Sequence, residues 1–152
     1  MRSAALALLT AFAWIPAAAA EVPVALELVL AVDRSQSIDG GMLSFQLDGH
    51  AQAFRDPRVI AAITGGAEGG GGRIAVTLVT WSDPRRLETL VPWTLIAGTG
   101  DAHAFAALID AAPRSAARGS TGLGAALVEA APLFDGNGFA GSRHVIDIVS
   151  NG

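Results

Sequence analysis

Leu28-Val29-Leu30-Ala31-Val32-Asp33-Arg34-Ser35-Gln36-Ser37 begins as an unbroken apolar run rich in Val and Leu. That is how a strand buried on both faces of a parallel sheet reads. The run stops at Asp33, Ser35 and Ser37, three oxygen-bearing side chains at alternate positions. A carboxylate where a buried strand emerges lies at the carboxyl edge of the sheet, where open α/β folds place their ligands. In a tight turn, alternate residues can point the same way, so one carboxylate and two hydroxyls can converge. One charge with neutral hydroxyls suits a hard divalent cation such as Mg²⁺, which retains waters and leaves a position for an outside ligand. The same residues have a second reading as caps. Ser35, Ser37 or Asp39 can cap the helix expected from about Gly40, and one residue can cap while the others ligate.

Upstream of this strand, Arg2 gives a short positive start and Ala4 to Ile15 is apolar. Pro16 then precedes Ala17-Ala18-Ala19-Ala20. This pattern predicts a secretory signal peptide over residues 1–20, cut after Ala20, and so a periplasmic or secreted product. The remainder, 21–152, has the composition and length of one globular domain. The whole chain is mildly acidic: ten Arg and no Lys stand against fourteen Asp and Glu, a formal net charge of −4. With no basic cluster, nucleic acid and anionic membranes are poor partners. The chain has no Cys, which excludes disulfides, thiolate chemistry and a lipid-bearing Cys.

Downstream, Leu43, Leu47, Ala51 and Phe54 recur at helical spacing, predicting a helix from Gly41 to Arg55. Asp56-Pro57 ends it, and Pro57 opens a short helix from Arg58 to Ile63. Gly65-Gly66 and Gly69 to Gly72 lack a Gly-Lys-Ser/Thr ending and precede a strand, so they read as a linker rather than a phosphate cradle. Ile74 to Trp81 is a second buried strand. Leu87 to Ile96, with Pro92 inside, is a third, placed at the sheet edge because Pro cannot donate to a ladder and antiparallel because the Asp83 to Arg86 connection is short. Asp101 is expected to cap a helix reaching Ala112, with Phe105, Leu108 and Ile109 inward. Pro113 to Ser120 reads as loop, Ala125 to Phe134 as helix and Gly136 to Ser142 as loop. His144 to Val149 is the last strand. The layout is α/β, with an open, mostly parallel, Rossmann-like sheet flanked by helices.

Taken together, Asp33-Arg34-Ser35-Gln36-Ser37, Trp81-Ser82-Asp83, Thr121 before a helix and the polar end of the last strand resemble the von Willebrand factor A domain with its metal-ion-dependent adhesion site. The branch most similar comprises exported bacterial A-type proteins of uncharacterised function. Arg73-Ile74-Ala75-Val76, Val91-Pro92-Trp93-Thr94, the stretch from Arg118 to Leu127 and Arg143-His144-Val145-Ile146-Asp147 carry that likeness. The resemblance implies Asp33, Ser35, Ser37 and Thr121 as ligands, direct or through water, of Mg²⁺ or Mn²⁺. It implies a strand order of third-second-first-fourth for the strands present. The family's final Asp falls on Asn151, an amide that ligates through oxygen without charge. Weak cation binding follows, with a partner protein's acidic side chain completing the coordination. Asp147, inside the last strand, reads as structural. The family pattern also continues through further strands, so the A-like domain over 21–152 reads as incomplete.

Enzymatic readings find less support. Ser35 stands where an aspartyl-phosphate hydrolase needs a second carboxylate, and no Gly-x-Ser-x-Gly elbow occurs. His50, His103 and His144 occur singly. The expectation is a non-enzymatic, exported binding module. The alternatives are a degenerate or structural A-type domain without a metal, and a phosphate-handling enzyme using the Gly119 to Gly124 turn.

Overall fold

The computed structural model describes residues 20–65, 72–82, 87–115, 119–120 and 122–150. Residues 1–19 of the expected signal peptide, most of the Gly-rich linker, Asp83, Thr121 and Asn151 lie outside them. No helix among the described residues is long and apolar enough to cross a membrane.

The elements run β1 (Val22–Val24), β2 (Leu26–Asp33), α1 (Gly40–Ala53), α2 (Pro57–Thr64), β3 (Ile74–Trp81) and β4 (Leu87–Ile96). They continue through α3 (Thr99–Asp110), α4 (Leu123–Ala130), a 3₁₀ turn (Ala131–Phe134), β5 (Phe139–Gly141) and β6 (His144–Val149). The main sheet has the order β4-β3-β2-β6. It is parallel except for β4, which is antiparallel to β3. This is the expected open, mostly parallel α/β sheet, with third-second-first-fourth order for its four strands.

β2 is the centre because it is apolar on both faces. Leu30 and Val32 face α1 and α3 with Val76, Leu78 and Phe105, while Val29 and Ala31 face α4 with Val79 and Trp81. A fully buried side chain of this size contributes about 1.5–3 kcal/mol, so the two-sided run outweighs any local preference for another conformation. β4 is an edge strand, as Pro92 requires. Its register shifts between Val76 and Leu78, where Thr77 donates its hydroxyl proton to the Val91 carbonyl at 2.8 Å.

Four local expectations are corrected. Phe139–Gly141, expected as loop, pairs in parallel with Val22–Val24 as a second, two-stranded sheet. Strands of three residues carry too little alternation to be read locally. Asp101 is not the cap of α3. Gly98 is, and Asp101 sits in the first turn, its carboxylate accepting from Ala97 N at 3.0 Å. Leu108, expected inward, is 46% exposed. The helix expected from Ala125 begins at Leu123 and tightens after Ala130 to the 3₁₀ turn, where Pro132 lacks an amide donor.

Candidate metal site at the end of β2

Asp33 is the last residue of β2, and its carboxylate is fully buried at the carboxyl end of the sheet. Alternation along β2 puts it on the α4 face, in line with Val29 and Ala31. Oδ1 accepts the Ser35 amide proton at 2.7 Å, closing an Asx turn that reverses the chain. The hydroxyls of Ser35 and Ser37 lie 3.1 Å apart. Ser35 is buried and Ser37 exposed, so the oxygen set runs from the sheet to the surface. Ile38, 1% exposed, plugs the turn into the core, and Ile38 N donates to Ser35 O at 2.9 Å. Of the candidate caps, Asp39 takes the role: its Oδ1 accepts from Met42 N at 2.7 Å. Ser35 and Ser37 belong to the turn that precedes it.

Neighbouring segments hold this turn in place. Arg34 N donates to Trp81 O at 2.8 Å, extending the β2–β3 ladder by one bond. Gln36 N donates to Gly119 O at 3.0 Å, which brings the start of the loop before α4 onto the turn. Ser150, next after β6, donates its hydroxyl proton to Asp33 Oδ2 at 2.7 Å. Of the sequence-derived ligand set, Asp33, Ser35 and Ser37 are brought together. Thr121 and Asn151 lie outside the described residues.

Asp147 is kept away from the site by register. It pairs with Leu30, three positions before Asp33, and points to the α1 side. There its charge acts on His50, a half-buried side chain of α1. Burial pushes the His50 pKa below its ordinary 6.5, and the Asp147 carboxylate offsets part of that.

Sequence reasoning missed Ser150. Its signal lies in the register rather than in the sequence: Val149 pairs with Val32, so the next step of a parallel ladder sets residue 150 beside Asp33. Arg34, Thr80 and Ser82 were also missed as a group, and they share the other face of the same sheet edge.

The donor set is chemically compatible with a hard cation. All its atoms are oxygens, one carboxylate with hydroxyls, the ligand class of Mg²⁺ and Mn²⁺. Among the described residues no three His, Cys, Asp or Glu side chains cluster to hold a metal.

A search of curated proteins finds no match to the sequence. Among solved structures, the chain is similar to the vWF domain of the type V pili tip protein Mfa5 from Porphyromonas gingivalis. The TM-score is 0.49 with 18% identity, over 86% of this chain and 39% of that one. A structure of the three N-terminal domains of Mfa5 matches at a TM-score of 0.46 and 16% identity, over 85% of this chain and 20% of that one. The chain thus spans well under half the length of either. A family model matches residues 23–152, and the chain belongs to that family, described as "Protein of unknown function (DUF1194)".

Proposed function

We propose that this chain is an exported, non-enzymatic binding module whose Asp33 site holds Mg²⁺ or Mn²⁺ and engages an acidic side chain of a partner protein. The observation that carries this reading is the buried Asp33 carboxylate with the Ser35 and Ser37 hydroxyls in the turn it closes. Thr121 and Asn151 are proposed to complete the protein's share of the ligands. With Asp33 the one carboxylate among these ligands, the cation keeps most of its positive charge. An acid from a partner then gains more at this site than it would at a carboxylate-rich one. Affinity for the bare ion is correspondingly low, about 10⁻⁴–10⁻³ M, the range of weak extracellular sites.

Titration calorimetry of Mg²⁺ into the full chain and into Asp33→Ala tests the proposal. Saturable heat in the wild type, absent from the variant, is the expected result. Equal heats, or none in either, overturn it.

A further inference from the structure

We propose that Arg34, Thr80 and Ser82 form a carboxylate-binding subsite at the same sheet edge, working without a metal ion and with Glu88 as its resting occupant. It is carried by a side-chain set that the Asp33 site does not use. Thr80 and Ser82 are each 1% exposed, and neither hydroxyl oxygen has a hydrogen-bond partner among the described residues. The Arg34 Nε–H is buried and likewise has no acceptor there. A buried polar group without a partner costs about 1–3 kcal/mol, so three together call for an explanation.

The register puts the three on one face. Val32 pairs with Thr80, Asp33 with Trp81, and Arg34 N donates to Trp81 O, so residues 34 and 82 are the next step. Leu30, Val32, Val76 and Leu78 share the α1 and α3 side, and alternation carries Arg34, Thr80 and Ser82 to that side. Glu88 is the β4 partner of Thr80 and faces the same way. The Arg34 side chain starts at the end of β2 and reaches Glu88 on β4, with Nη2 2.6 Å from Oε2. To do so it crosses β3 where Thr80 and Ser82 stand.

The pairing with Glu88 uses half of the guanidinium. A carboxylate that takes Arg side-on engages Nε and Nη2 together. Here Nη2 is engaged and Nε is idle. Glu88 is a weak occupant, its side chain 54% exposed, and an exposed ion pair adds little stability. An incoming carboxylate that displaces Glu88 gains the idle Nε–H, with the two hydroxyls beneath as further donors. Exchange of one acid for another leaves the charge count unchanged, and no bond is made or broken. The ligand class is a carboxylate side chain presented by a partner.

NMR on the ¹⁵N-labelled full chain in EDTA, following the Arg34 Nε–H signal, tests this with sodium acetate as the probe. Sodium chloride at equal ionic strength controls for screening of the ion pair, and acetamide controls for shape without charge. Saturable movement with acetate alone is expected. Ser82→Ala and Thr80→Val should each weaken it about tenfold, the loss of one hydrogen bond to a charged group. Glu88→Gln should strengthen it, since the competitor is gone. Ser82→Ala is the smaller change and decides the matter if Thr80→Val fails to fold. Equal effects of acetate and chloride, or acetate binding untouched by Ser82→Ala and Glu88→Gln, overturn the subsite. EDTA keeps this outcome independent of the Mg²⁺ titration.

Discussion

Ser150 donates its hydroxyl proton to Asp33 across 117 residues of sequence, joining the ends of β6 and β2 at 2.7 Å. The acceptor is a buried carboxylate, so this bond belongs to the stronger class of protein hydrogen bonds. Ser150→Ala should lower unfolding stability by about 1.5–3 kcal/mol, the range for a bond to a charged group. Urea denaturation measures it. An unchanged midpoint would show that the two strand ends are held by backbone pairing alone.

At the opposite end of β2 a second carboxylate is buried. Glu27, 1% exposed, accepts from Asn137 Nδ2 at 2.6 Å and from Gly141 N at 2.5 Å, with His144 Nε2 3.3 Å away. Glu27→Gln turns one acceptor into a donor facing donors, and should cost about 3 kcal/mol. Gly141→Ala should also destabilise, by about 1–3 kcal/mol of overpacking. Its Cβ would stand 2.8 Å from Glu27 Oε1 and 2.9 Å from Cγ. Thermal unfolding of both variants checks these values. Because Asp33 sits at the other end of the strand, neither change should alter Mg²⁺ heat per folded molecule.

His50 supplies the pH dependence. Its folded-state pKa is depressed below 6.5, so the unfolded chain binds the proton more readily than the folded one. Stability from this group is present above pH 6.5 and declines as pH falls from there through the folded pKa. Asp147→Asn removes the charge that props the value up, and should move the His50 titration lower still. Imidazole proton shifts against pH read both. A midpoint at or above 6.5 in the wild type contradicts the burial of His50 against the sheet.

The main strands were legible because each carries its own signal. Leu26–Asp33 and Ile74–Trp81 are apolar on both faces, and Pro92 marks an edge wherever its strand lies. The Asp33, Ser35 and Ser37 turn was legible because its spacing is local. Partners that arise from pairing were not. Ser150 meets Asp33, and Phe139–Gly141 meets Val22–Val24, only once the register between distant segments exists. Asp101 misled because Asp is favoured both as a cap and in the first turn of a helix, and sequence alone does not separate those positions. Leu108 misled because α3 is rich in Ala, which blurs the boundary between its inner and outer faces.

The place of β2 between β3 and β6 has a consequence for how the chain acquires its shape. β3 follows β2 after some forty residues of chain, yet β6 follows only after more than a hundred, with Glu27 opposite His144. During synthesis the middle strand therefore waits, one flank bare, until almost all of the sequence shown here has left the ribosome. Pairings this remote slow folding and lengthen the exposure of sticky surface. Nascent chains of this kind should depend on holdase chaperones.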